Sequence, residues 1–420
     1  MSNRKIILLV ILLSFLLRVG IAYLMRDSFF ERGNRYSLIN PIAHNIIKFR
    51  EFSMIPGSPT ANNEPFYPLF VALAYFFMGT NWFSLALLQS VVNIINALIV
   101  YVIAMGIFRN QKMAFISFLL FIFYPFYVFQ CISISDTVLF CFLLGLIILL
   151  MIKNPYIGNF WSNIFTGITW GLTLLTRFSS ISLLPFALMY IFMRLPSRKA
   201  VKSCILIFLM CLLTISPWLY RNYSLTGKIF VVTLRGALAV WYGYNSDSFG
   251  VIRENVSVDS MGENLEDKVP GLREIENKEY PASINREVDM TEILLKHALN
   301  FALSNPWLCL KMMPIKFWKF WTWNYNPVPT SEDKNQDVLR RKVYIVSYLP
   351  LLIFAILGIV LTRKNWRTLS IFYLLFFGYS LLHTILYGFT RLRVPIDQFL
   401  MIFAANAIVF YLGKLKKIFS

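Results

Sequence analysis

Outside residues 220–342 the chain carries six carboxylates, Asp27, Glu31, Glu51, Glu64, Asp136 and Asp397, at the boundaries of apolar runs or in the loops that join them. Near the same boundaries stand Arg177, Arg221, Arg391 and Arg393, while Arg18 lies inside the first apolar run. An ionisable side chain costs about 2.5–3.5 kcal/mol at the centre of a membrane helix and less toward the surface, so isolated charge there marks a functional position. A carboxylate can take a proton, and a guanidinium fork can hold a two-oxygen anion while staying charged when partly desolvated. Metal and redox chemistry have less support. The five Cys form no CxxC pair and there are only three His, so neither a zinc module nor a disulfide framework is expected. A bridge between Cys131 and Cys309 is left open, since both fall on the same expected side.

The elements that must position these charges are membrane helices. Of 420 residues, 57% are hydrophobic and 15% charged, against roughly 45–50% and about 25% in soluble domains. A soluble domain is therefore excluded. Ten apolar runs are long enough to be read as spans, near 6–25, 83–107, 113–130, 136–152, 160–176, 178–193, 203–219, 343–361, 368–386 and 394–412. The first lacks a small-residue cleavage site and reads as an anchor. With the N-terminus cytoplasmic, fifteen Lys and Arg fall in short cytoplasmic segments and only Arg177, Arg391 and Arg393 in short outer ones, as the positive-inside rule requires. All six isolated carboxylates then map to the outer side or its boundary. Any chemistry is expected to be extracytoplasmic.

The net charge of +19 divides in the same way. Residues 220–342 hold 16 basic and 15 acidic residues, and the rest of the chain holds 24 basic and six acidic. The excess belongs to the membrane part and signals topology rather than nucleic acid. No P-loop, GxGxxG or internal repeat is present, which leaves ATP hydrolysis and dinucleotide binding without support.

Three parts follow: an N-terminal core of about seven spans over 1–219 with an outer loop at 26–82, an extracytoplasmic region at 220–342, and a three-span bundle at 343–420. The loop contains two amphipathic helices, around 34–49 and 66–79, joined by a Pro- and Gly-rich connector. The extracytoplasmic region opens with the β-prone KIFVVTLRGALAVWYGYN and becomes helical from about Asn285. It ends in KMMPIKFWKFWTW, whose alternating Lys and aromatic residues suit an interfacial helix; a packed domain helix is the alternative.

Several segments resemble one family in the correct order. They are EPFYPLFVAL at 64–73 after Tyr36 and Pro59-Thr60-Ala61, ISISDTVLF at 132–140, GITWGLTLLTRFSSISLLP at 167–185, SPWLYRNYSLTGKIFVVTLRGALAVWYGYN at 216–245, and HTILYGFTRLRVPIDQFL at 383–400. The family is the GT-C superfamily of membrane glycosyltransferases, in its protein O-mannosyltransferase and lipid A aminoarabinose transferase branch. The resemblance implies an all-α polytopic membrane protein with a GT-C-like helical core, outer juxtamembrane helices and a mixed extracytoplasmic loop region. It also implies a polyprenyl-phosphate sugar donor, bound from the outer leaflet, whose sugar passes with inversion to an extracytoplasmic glycan, glycolipid or protein acceptor. The expected location is the cell (inner) membrane, with both termini cytoplasmic. Membrane lipids are expected partners and nucleic acid is not; a divalent metal ion is left open.

Inverting transfer needs a general base and groups that stabilise the departing phosphate. In the family the acid comes from the first outer loop, four residues before the Tyr that corresponds to Tyr36. Here that position is Arg32, so the candidates are Glu31, Glu64 and Asp27, each of which could instead pair with Arg26, Arg32 or Arg35. Asp136 coincides with the family's second-loop acid and suits either acceptor orientation or helix capping. Donor phosphate binding is assigned to Arg393, Arg391, Arg177, Arg221 and Arg18, with an Arg393–Asp397 ion pair at i,i+4 as the alternative. Tyr36, Tyr67 and His383 are the candidate sugar-pocket residues, against belt or core positions. A sugar-lipid flippase and a noncatalytic scaffold are the competing functions.

Overall fold

In hydrocarbon every backbone polar group must be satisfied within its own segment, and the helix is the way an apolar run achieves this. The computed structural model describes residues 3–25, 38–152, 159–228, 233–234, 236–245, 269, 272, 284–323 and 334–419. The protein is an all-α, multi-pass membrane protein. Its helices are α1 (Asn3–Leu24), α2 (Ile39–Phe49), α3 (Phe66–Met78), α4 (Trp82–Phe108), α5 (Gln111–Ile122), α6 (Pro125–Cys131), α7 (Thr137–Ile152) and α8 (Phe160–Thr176). After a 3-10 turn at Phe178–Leu183 come α9 (Leu184–Arg194), α10 (Ser197–Thr226), α11 (Gly236–Gly243), α12 (Ile284–Ser304), α13 (Pro306–Trp321), α14 (Lys334–Leu361), α15 (Trp366–Ile385) and α16 (Thr390–Phe419). Asparagines start three of them: Asn81, Asn110 and Asn159 each accept a hydrogen bond from a first-turn amide of the helix that follows.

All ten apolar runs are helical, but they do not form ten equal spans. Among the described residues six helices are individually long and apolar enough to cross a bilayer, and a seventh crossing is made if the bent pair α5–α6 counts as one. The pair bends by 53° at the residues before Pro125, which has no N–H to continue the ladder. The run at 136–152 gives only the 16 residues of α7, about 24 Å at 1.5 Å per residue, short of the roughly 30 Å core. Eleven of those residues are buried, so other helices rather than lipid surround it. The outer helix α3 is strongly apolar, yet its 13 residues are too short to span.

One core joins residues of α4–α10 to residues of α13–α16. α8 packs along α10 through Gly167 and Gly171, where a Cβ would meet Ile207 O at 2.6 Å and Thr214 Cβ at 2.5 Å. This is the small-xxx-small contact that lets membrane helices approach closely. Gly358 of α14 allows the same against Phe403 O of α16, 1.9 Å from where its Cβ would stand. Polar residues tie the bundle as well. Gln89, Asn93 and Asn96 form a buried stripe on α4: Asn93 accepts from Arg18, and Asn96 donates to Gln398 at 3.0 Å.

Outside the bundle the β-prone expectation over 228–245 is corrected at residues 236–243, while residues 229–232 and 235 lie outside the described residues. Residues 236–243 are the helix α11, which sets Ala237 and Trp241 four residues apart on one face against Leu294 and Ala298 of α12. Burial of the Trp241 ring overrides the local preference. Among the described residues the one sheet is a two-stranded hairpin in the first outer loop, β1 (Ser53–Ile55) with β2 (Ser58–Pro59). Glu51 closes it by accepting from Gly57 N at 2.7 Å. α13 exposes Trp307, Leu310, Phe317 and Trp318 and buries Met312, Lys316 and Phe320, so one face packs and the other offers an aromatic surface.

Candidate active site

α8 ends at Arg177, whose extended backbone (φ −152°, ψ 103°) turns the chain out of the helix. Its guanidinium grips Asp136 with two bonds, Nε to Oδ2 at 2.7 Å and Nη2 to Oδ1 at 2.5 Å. Nη2 also donates to Thr137 Oγ1 at 3.3 Å, and the plane lies 4.7 Å above the Phe140 ring. Side-chain exposure of 17% for Arg177 and 27% for Asp136 leaves the pair reachable from outside the bundle. The next amide, Phe178 N, donates to Glu64 Oε1 at 3.2 Å. A first-loop carboxylate and a guanidinium held by a second-loop carboxylate therefore meet at adjacent backbone positions.

Tyr67, one turn after Glu64 at the start of α3, is buried and donates to Gln89 Oε1 at 3.1 Å. Gln89 in turn donates to Cys131 O at 3.0 Å and Ser133 O at 2.9 Å, which fixes the loop that carries Asp136. Tyr67 thus sits beside Asp136, in the wall of the cluster. Tyr379 of α15 is buried near Arg177. Sequence reasoning assigned no role to Gln89, Thr137 or Tyr379. The i, i+4, i+7 stripe of Gln89, Asn93 and Asn96 in an apolar run was the available signal for the first of these.

Arg393, Arg18 and Arg221 are engaged elsewhere. Arg393 is fully buried and donates to Asp397 Oδ1 at 2.9 Å, Phe320 O at 2.9 Å, Thr322 O at 3.4 Å and the Tyr344 hydroxyl, with the Tyr348 ring 3.6 Å from its plane. It joins α13, α14 and α16, and no face is turned to the outer cluster; the ion-pair alternative is the arrangement present. Arg18 is likewise buried, donating to Asn93 Oδ1 and Ile122 O at 2.8 Å each and to Ser14. Ile122 is the last residue of α5, so Arg18 satisfies a carbonyl that the break before Pro125 leaves without its helical partner. Arg221 is half-buried over Trp218 and Phe52 and donates to Thr60 O at 2.7 Å and Phe52 O at 3.2 Å, bracing the first outer loop. His383 is packed between Phe320, stacked at 5.3 Å, and Tyr379, edge-on at 4.7 Å, which is the core position rather than an open pocket. Asp27, Glu31 and Tyr36 lie outside the described residues, as does the side chain of Arg391 in the first turn of α16. Cys131 and Cys309 are free thiols: Cys131 Sγ is turned inward to Tyr127 O, so the bridge left open by sequence is not formed. Among the described residues no three His, Cys, Asp or Glu side chains gather as a metal site requires.

One acid missed in the sequence braces the same loop. Glu287, in the first turn of α12, accepts from Thr60 Oγ1 at 2.5 Å and from Ala61 N at 2.8 Å. Burial raises its carboxyl above the usual range, while the bonds from Thr60 and Ala61 and the nearby Arg221 pull the other way.

Residues 59–220 match the family model described as dolichyl-phosphate-mannose-protein mannosyltransferase. The glycosyltransferase resemblance holds over that segment. Glu64, Tyr67, Gln89, Asp136 and Arg177 all fall inside it. The crystal structure of ArnT from Cupriavidus metallidurans bound to undecaprenyl phosphate is similar to the chain with a TM-score of 0.44 and 12% identity, covering 93% of this chain and 77% of that one. No curated protein matches the chain.

Proposed function

We propose that the protein is an integral membrane glycosyltransferase that takes a sugar from a polyprenyl-phosphate carrier and delivers it to an extracytoplasmic acceptor. One observation carries the reading: the stretch that matches the mannosyltransferase family supplies Glu64, Tyr67, Asp136 and Arg177, and these meet at one end of the bundle. The charge distribution over the loops supports placing that end outside and both termini in the cytoplasm.

In this reading a first-loop carboxylate takes the acceptor proton, the acceptor oxygen bonds to the anomeric carbon, and the bond from that carbon to the phosphate oxygen breaks. Among the described first-loop acids Glu64 has the placement for the base, beside Arg177; Glu31 and Asp27 remain its rivals. The leaving polyprenyl phosphate keeps the electron pair. Arg177, held in a fixed orientation by Asp136, supplies the positive charge where negative charge develops, and such preorganised stabilisation is the largest contribution in many enzymes. Asp136 is then a positioning residue and not the base. In this reading residues 26–82 bring the base, residues 220–342 form the extracytoplasmic region, and residues 343–420 are a C-terminal three-span bundle.

The test is transfer by purified protein in proteoliposomes, supplied with a panel of polyprenyl-phosphate sugars and envelope acceptors. Release of polyprenyl phosphate with a new glycosyl product is expected, and Glu64→Gln should abolish it. Movement of the sugar lipid between leaflets with no product would replace this reading with a flippase. Mass spectrometry of envelope glycans with and without the gene names the sugar and acceptor.

A further inference from the structure

Residues 60–62 of the first loop are held by local bonds, Thr60 N to Phe52 O and Asn62 N to Thr60 Oγ1 at 3.2 Å each, and by several contacts from distant parts of the chain. Thr60 and Ala61 are almost wholly buried. From one side Arg221 of α10 donates to Thr60 O at 2.7 Å. From the other, Glu287 of α12 accepts from Thr60 Oγ1 and Ala61 N, residues more than 220 positions away. Leu234 N donates to Ala61 O at 3.1 Å, and Thr233 Oγ1 donates to Asn62 O at 2.8 Å. Ala61 then packs with Leu234, Ile284 and Val288 in a small apolar cluster of its own. Glu64, whose Oε1 accepts from Phe178 N, stands three positions after Ala61.

We propose that Glu287 is a positioning residue that clasps Thr60–Ala61 to the extracytoplasmic helix α12 and so sets where Glu64 stands relative to Arg177. The proposal rests on the reading of Glu64 as an active-site carboxylate. Glu287 makes both bonds as an acceptor, from the Thr60 hydroxyl and from Ala61 N. A glutamine could still accept from Ala61 N and donate its NH2 to the Thr60 hydroxyl, which is donor and acceptor alike, but it would remove the charge that faces Arg221. An aspartate keeps both oxygens and the charge but falls one methylene short. A shift of about 1 Å in a reacting group costs about 100-fold in rate, so the loop needs to move only slightly for the effect to be read.

Two measurements on the full chain in nanodiscs test this. Glu287→Ala should lower kcat by about 10- to 100-fold with the donor KM within about two-fold, and Glu287→Asp should recover part of the loss. In hydrogen exchange, the peptide covering 57–65 should lose protection in Glu287→Ala while the membrane helices keep theirs. Thr60→Val removes one of the two bonds to Glu287, together with the local bond from Asn62 N, and should give an intermediate result, which keeps the test available if Glu287→Ala does not insert. Glu292→Ala on the same helix breaks only an exposed pair with Lys228 and should change neither readout. Unchanged exchange at 57–65 in Glu287→Ala overturns the clasp. Faster exchange with wild-type kcat overturns the positioning role while leaving the clasp. If instead Glu64→Gln is fully active, the Glu64 reading fails, and the exchange result still decides the clasp.

Discussion

Asp136→Asn separates the orientation of Arg177 from its presence. The substitution keeps the size of the side chain and one oxygen, but sets an NH2 against a guanidinium N–H, so one of the two bonds at 2.7 and 2.5 Å becomes a donor facing a donor. A hydrogen bond to a charged group contributes about 1.5–3 kcal/mol. Both side chains keep some contact with water, at 17% and 27% exposure, which places the loss toward the lower part of that range, about 2 kcal/mol. If Arg177 stabilises the departing phosphate, a loss of about 2 kcal/mol corresponds to about 30-fold in kcat/KM. The assay is release of polyprenyl phosphate by the reconstituted variant across donor concentrations, with a thermal unfolding midpoint measured in parallel. Reduced kcat/KM with a midpoint within a few degrees of wild type is expected, because the pair lies at the end of the bundle and not in its core. Activity within two-fold of wild type would refute the role given to the pair.

Three further outcomes follow from the packing. Arg393→Met leaves Asp397 charged inside the core, and breaking a buried pair in this way should cost about 3–5 kcal/mol in detergent unfolding, whereas Arg393→Met combined with Asp397→Leu should recover most of it. Gly171→Leu drives a side chain into Thr214, where even a Cβ would be 2.5 Å from Thr214 Cβ; overpacking of this kind costs about 1–3 kcal/mol, read as a lower unfolding midpoint. Lys316 of α13 is buried with its amine on Gly243 O and Ile385 O, and burial lowers its pKa to about 8. The unfolded chain, with an ordinary lysine, binds the proton more tightly between pH 8 and about 10.4, so the contribution of this group to stability rises over that window and is lost as pH falls through 8. The difference in unfolding midpoint between wild type and Lys316→Met should therefore change with pH across the window; a constant difference would contradict the assignment.

The sequence by itself determined that the protein is a helical membrane protein, where its apolar runs lie and which charges stand against the topology rule. These are local properties: hydrocarbon demands internally bonded helices from any long apolar run, and a Lys or Arg on the wrong side is visible in one dimension. The resemblance to the glycosyltransferase family was also local, because it rests on short ordered motifs. What sequence could not rank was the arginines. Arg393 and Arg177 looked alike, both at the ends of apolar runs and both candidates for the donor phosphate, and only the tertiary structure separates them. Arg393 finds Asp397 on its own helix and is then sealed by α13 and α14, while Arg177 finds Asp136 across 41 positions at the open end of the bundle. Arg18 became intelligible once the break before Pro125 was seen to free the Ile122 carbonyl. Glu287 went unnoticed among the fifteen acids of residues 220–342, because nothing in its neighbours predicts a partner at Thr60. Charge type and spacing are written in the chain; whether a charge faces a helix, a loop or an open site depends on which distant segments pack over it.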